Sequence, residues 1–234
     1  MDSFGLPCNY STCLEHGNPD TPQQTRRTLP LLPLDLLRIP VFALSVGTST
    51  CSYAAQILAY VGLPFLFQRS LHLTPVETGL LLTPWPLLVA ISAPIAGRLT
   101  IRYPASLVSS VGMALLAVGL LSLALLPATP TNLNIVWRMA ICGIGFGLFQ
   151  TPNNTAMMTS GPVERSGAAS GMNAVARYVG WSLGSAVAAL ILGLGGLHAA
   201  VLCLATGTGI AMIGAVLSSA RWYGRSPAMR APRA

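Results

Sequence analysis

The residues with chemistry to do in this chain are polar side chains set inside apolar runs. Arg138 follows Asn134–Trp137 and precedes a glycine ladder, Gly143-Ile-Gly145-Phe-Gly147, and then a polar break, Gln150-Thr-Pro-Asn-Asn154. A charge inside a bilayer-spanning segment is expensive, and it is kept where it lines a path or pairs within a bundle. Arg177 is a second such charge. Ser166, Ser170, Asn173, Arg177, Gly180 and Gly184 follow steps of three or four, so they share one helical stripe among Ala, Val, Leu and Trp. Lipid cannot satisfy that stripe, so it must face other helices or water. Arg177 sits well inside its apolar run, near the expected midplane. Two roles are open to it: bonds to a neighbouring helix, or a place in a substrate or coupling pathway.

A second stripe holds Gly143, Gly147, Gln150 and Asn154. Glycines four apart let another backbone approach closely. Pro152 frees a carbonyl and bends a helix. Gln150, Asn153 and Asn154 then either offer amides to a cavity or cap the kink. Gln56, in the first apolar run, is assigned to the same cavity. Arg138 lies about 120° around the helix from Gln150, near the outer end of its run, where its side chain can also snorkel outward. Gly97-Arg-Leu-Thr-Ile-Arg102 is expected to form a tight turn between two runs. Its arginines either orient the chain or lock a loop to a helix, and Arg165 in Pro162-Val-Glu-Arg165 has the same two readings.

No enzyme site is legible. There is no His-rich cluster, no acid pair within reach, no nucleophile with a nearby His and no phosphate loop. No metal site or cofactor is expected. Cys51, Cys142 and Cys203 fall in apolar runs as small hydrophobes, and Cys8 and Cys13 lack companion ligands. No Asp or Glu lies at midplane depth; Glu77 stands at the edge of the second run.

The elements that must position these groups are membrane helices. The chain is 53% hydrophobic and 8% charged, whereas soluble domains carry about 25% charged residues. A span needs roughly 20 apolar residues. Candidates run over 41–67, 76–96, 105–126, 133–151, 168–192 and 198–220. The fold class is therefore an all-α membrane protein of six spans over 31–220. A polar tail, 1–30, precedes it without a signal-peptide pattern and is expected to be disordered, and a basic tail, 221–234, follows. Asp35 and Arg38 can pair on a short interfacial helix before the first span.

All the basic residues are Arg. Arg26, Arg27, Arg38, Arg98, Arg102, Arg165, Arg221, Arg225, Arg230 and Arg233 fall on one side of an even-numbered bundle, and only Arg69 on the other. That bias puts both termini in the cytoplasm. The arginines form no patch with interleaved aromatics, which argues against nucleic acid.

At these residues the chain resembles the major facilitator superfamily, and within it the fourteen-helix drug:proton antiporters. Gly97-Arg-Leu-Thr-Ile-Arg102 is similar to the superfamily's loop motif, with Ile101 where an acid is expected. Arg138 with Gly143, Gly145 and Gly147 resembles the arginine-plus-glycines helix. Pro162–Gly171 and Gly180-xxx-Gly184 resemble the following loop and helix, although Ser185 stands where a proline ends the family's signature. The resemblance covers about residues 30–220, the C-terminal six-helix half. It implies two inverted three-helix repeats in a bacterial inner membrane and export of amphipathic or cationic small molecules in exchange for protons. It also implies a second half, so the chain is expected either to pair with one or to be a truncated, non-transporting remnant. A six-span assembly partner is the remaining alternative.

The arginine bias makes a direct prediction. Alkaline phosphatase fused after Ala234 should be inactive, and fused at Thr131 it should be active. The reverse pattern in the two fusions would overturn the orientation.

Overall fold

In hydrocarbon a helix satisfies its own backbone N–H and C=O groups, and each apolar run takes that form. The computed structural model describes residues 34–127, 129–160, 165–194 and 198–223, with all their side chains but those of Leu34, Asp35, Trp222 and Tyr223. The polar tail 1–30, the basic tail beyond Tyr223, Cys8, Cys13, Pro162–Glu164 and the Asp35–Arg38 pair lie outside the described residues.

A short 3-10 helix, Leu34–Arg38, leads into α1 (Pro40–Phe65), which ends in a π turn, Leu66–Ser70. The second span is built from α2 (Pro75–Leu82) and α3 (Pro84–Arg102). The remaining spans are α4 (Ala105–Ala124), α5 (Asn132–Thr159), α6 (Ser166–Gly193) and α7 (Ala199–Tyr223). Among the described residues, six helical runs are long and apolar enough to cross a membrane. Proline marks the starts: Pro40, Pro75 and Pro84 open α1, α2 and α3, where a missing N–H leaves nothing unbonded. Thr74 adds a capping box to α2, its backbone N–H donating to Glu77 at 2.8 Å while Glu77 N–H donates to the Thr74 hydroxyl at 3.3 Å.

Two expectations change. Gly97–Arg102 is not a turn but the last helical stretch of α3. Nothing in it breaks a helix; the Thr100 hydroxyl bonds the Gly97 carbonyl at 2.7 Å, and Pro104 is the first residue that ends the run. The polar break at Gln150–Asn154 is not a break either. α5 continues through Pro152 to Thr159. Pro152 is buried, and protein around a membrane helix can hold it together past a proline.

The helices stack in two layers. α3, α5, α1 and α6 form a front row, each packed on the next, and α4 and α7 lie behind, α4 on α5 and α7 on both α1 and α4. Exchanging the first three spans for the last three maps this pattern onto itself: α1 on α7 becomes α5 on α4, and α3 on α5 becomes α6 on α1. Neighbouring spans run antiparallel through short links, so spans three apart point in opposite directions. The fold is two inverted three-helix repeats. The core between the layers holds Leu116, Leu120, Met139 and Phe149, all but sealed from outside.

α5 is gripped from both sides at backbone distance. A Cβ on Gly143 would lie 2.5 Å from the Trp85 carbonyl oxygen of α3, and one on Gly145 would lie 2.5 Å from the Leu116 nitrogen of α4. Gly112 returns the contact from α4, its Cβ position 2.5 Å from the Phe149 nitrogen. Gly145→Ala should therefore force α4 and α5 apart and lower stability by about 1–3 kcal/mol, the usual range for an overpacked core. Gly171→Ala, whose added methyl would meet nothing within 4 Å, should leave stability unchanged. Thermal unfolding of the detergent-purified chain reads both; equal melting curves for the two variants would refute the backbone grip.

Candidate functional site

Four front-row helices line an open cavity of 310 Å³. Tyr53, Gln56 and Tyr60 reach it from α1; their spacing of three and four puts them on one helical face. Phe146 and Gln150 reach it from α5, and Arg177 and Trp181, one turn apart, from α6. Pro86, Val89 and Ala90 of α3 complete the wall.

The rings hold one another in place. Tyr53 meets Phe146 and Trp181 edge to face, with centroids 5.7 and 6.0 Å apart. Amides fix their polar ends: Gln150 Nε2 donates to the Tyr53 hydroxyl at 3.2 Å, and the Trp181 indole N–H donates to Gln56 Oε1 at 3.4 Å. Arg177 lies over two rings, its guanidinium carbon 5.3 Å from the Tyr178 centroid and 5.5 Å from that of Trp181. Its Nε is buried without a hydrogen-bond partner, as is Asn173 Oδ1 one turn earlier.

The sequence candidates thus separate. Gln56, Gln150 and Arg177 meet at the cavity. Asn154 and Asn173 are half-buried and do not line it. Asn153 is fully buried elsewhere, in a polar node between α1, α5 and α7. Its Nδ2 donates to Ser49 Oγ at 2.7 Å, and its Oδ1 accepts from Arg221 at 2.7 Å. Arg221 also donates to Ser45 Oγ at 2.9 Å and to Ser218 Oγ at 2.5 Å, and it is 1% exposed.

The glycine pairs work as packing surfaces. Gly143 and Gly147 admit α3, while Gly180 and Gly184 admit α1, with Cβ positions 2.6 Å from the Thr50 carbonyl oxygen and 2.7 Å from that of Ala54. Arg138 turns to the end of α4. Its Nε donates to Asn134 Oδ1 at 3.0 Å, and its NH1 to the carbonyls of Ser122 and, at 3.5 Å, Leu125. A cation there satisfies carbonyls that a helix end leaves open. Arg102 is exposed at the end of α3, Gly97 is half-buried, and Arg165 stands at the N-cap position of α6 without a side-chain cap bond. Among the described residues, no three His, Cys, Asp or Glu side chains gather as metal ligands would.

Sequence reasoning missed Arg221, taken for a tail charge, and the aromatic wall. Signals for both were present. Arg221 follows Ser218 by three residues at the end of an unbroken apolar run, and Tyr53 and Tyr60 flank Gln56 on one face.

Six membrane helices in two inverted triplets are a repeat arrangement found in carrier folds, and the chain is an integral membrane protein. It belongs to the Major Facilitator Superfamily, whose sequence pattern matches residues 12–185. It is 51% identical over 202 residues to the uncharacterized transporter YebQ of Escherichia coli K12, covering 85% of this chain and 44% of YebQ. It is 34% identical over 170 residues to the multidrug resistance protein Stp of Mycobacterium tuberculosis H37Rv, covering 72% of this chain and 31% of Stp. A third relative, the riboflavin transporter RibZ of Clostridioides difficile, is 28% identical over 134 residues, 57% of this chain and 29% of RibZ. The chain thus spans less than half the length of each of these relatives.

The buried node predicts a stability effect. Asn153→Ala removes acceptor and donor together and leaves a buried guanidinium short of one bond, so it should destabilise by about 1–3 kcal/mol. Asn154→Ala should change little. Chemical denaturation of the purified chain checks the pair, and equal midpoints would show that the node carries no weight.

Proposed function

We propose that this chain is the C-terminal six-helix half of a multidrug efflux carrier of the fourteen-helix drug:proton antiporter type. It exports amphipathic small molecules in exchange for protons across a bacterial cytoplasmic membrane, with both ends of the bundle's chain on the cytoplasmic side. The remaining eight spans of such a carrier, on the same or a separate chain, complete it.

One observation carries this reading: the cavity opens among the four front-row helices, and the two outermost are the least covered. Spans two and five are 22% buried along their most apolar stretch, against 39–56% for the other four. A bundle seated on that face would cover both spans and close the cavity between two halves, the arrangement in which carriers of this architecture rock around a midplane site. The names of two relatives support the substrate reading, Stp being called a multidrug resistance protein and RibZ a riboflavin transporter. The aromatic wall suits such ligands, because rings supply apolar contact without demanding one hydrogen-bond pattern. Gln56, Gln150 and Arg177 then bind substrate, and Gly143, Gly147, Gly180 and Gly184 hold the front-row helices at close range around the cavity. Asn154 and Asn173 lie on the neighbouring turns of α5 and α6 and act in the same pathway through its walls, whereas Asn153 braces the node with Arg221. No catalytic step is part of this function.

The chain alone should give no protonophore-sensitive efflux in a pump-deficient bacterium, measured with a panel of neutral, cationic and anionic fluorescent dyes. Co-expression with the part of YebQ that this chain does not match should restore it for at least one dye. Efflux by the chain alone would replace this reading with a carrier built from two copies. No efflux with both halves present in the membrane would favour an assembly role without transport.

A further inference from the structure

Arg177 is a cation in the middle of a membrane bundle with no hydrogen bond and no ion pair among the described residues. The other interior arginines are served differently: Arg138 by carbonyls at a helix end and Arg221 by an amide and two serines. Arg177 has only ring faces beside it. Stacking engages the flat of a guanidinium and leaves its in-plane N–H donors unused. No carboxylate lines the cavity. The amides of Gln56 and Gln150 are engaged in holding Trp181 and Tyr53.

From this geometry, resting on the reading of the cavity as a substrate site, we propose that its preferred ligand is a planar aromatic molecule bearing one anionic group, such as an aromatic carboxylate. The anion would take the free guanidinium donors, which match a carboxylate in a bidentate fork. The ring system would lie against Tyr53 and Phe146. A cationic ligand would meet an uncompensated like charge in a region of low dielectric, and the aromatic faces nearest that charge, Tyr178 and Trp181, are already taken by Arg177.

The test uses the chain itself in nanodiscs of zwitterionic lipid, with empty nanodiscs subtracting partition into lipid. Equilibrium dialysis compares 2-naphthoate, 2-naphthamide and 2-naphthylmethylammonium, which share a ring system and differ in charge. 2-Naphthoate should bind about tenfold more tightly than the amide, the worth of a charge-assisted pair, and the ammonium most weakly. Arg177→Gln should erase the preference while keeping amide affinity. If that variant loses the amide too, Arg177→Lys decides, since retained charge should keep most of the preference and its loss would overturn the proposal. The proposal also fails if the amide or ammonium binds as well as 2-naphthoate, if Arg177→Gln keeps the preference, or if no probe binds. It fails equally if 2-naphthoate binds the chain alone but not the two-bundle carrier, because Arg177 then serves a protein carboxylate. Binding is read here without transport, so a negative result leaves the efflux reading standing, and a failed efflux assay leaves this one standing.

Discussion

Helix α5 runs at backbone distance from α3 on one side and α4 on the other, and the placement of the bundle's polar groups follows from that grip. Gly143 and Gly147 admit α3, and Gly145, facing the other way, admits α4 through Gly112. With no freedom to slide or rotate, α5 presents Phe146 and Gln150 to the front cavity, Asn153 to the node shared with α1 and α7, and Arg138 to the end of α4. Small residues allow this because in lipid the attraction between helices comes from close packing rather than from exclusion of water.

The arginines show what a hydrocarbon surrounding demands. Each must be answered by its own neighbourhood, since hydrocarbon offers no hydrogen-bond partner. Arg138 is answered by carbonyls at a helix terminus, Arg221 by Asn153, Ser45 and Ser218. Both ties cross between helices, so they brace the bundle at two different points. Arg177 is left with aromatic faces alone, and of these three it is the one that borders the front-row cavity. An unmet donor at a cavity wall is where a ligand gains most from binding.

The interchange of spans one to three with four to six gives the front row its form. The first helix of each triplet, α1 and α5, stands at the centre, and the second span of each, α3 and α6, stands at the rim. The rim spans are the least covered, while α4 and α7 close the back. The sealed core lies between the two layers, and the front row carries the cavity.

The amino-acid sequence determined the number of spans, their limits within a few residues at most ends and the family. These depend on runs of apolar residues and on local motifs. It also marked Gln56, Gln150 and Arg177, because a polar residue in an apolar run is conspicuous wherever it points. It misplaced the end of α3 and the continuity of α5, because whether Gly97 or Pro152 breaks a helix depends on the neighbours packed against it. Tertiary structure alone decided which polar residues meet. Asn153 and Gln150 are three residues apart in sequence, yet one is sealed against Arg221 and the other faces the cavity. The stripe on α6 likewise divides, its glycines against α1 and Arg177 at the cavity edge. Periodicity identifies a face of a helix, but what covers that face is set by the approach of other helices, and that approach depends on contacts between residues far apart in the chain.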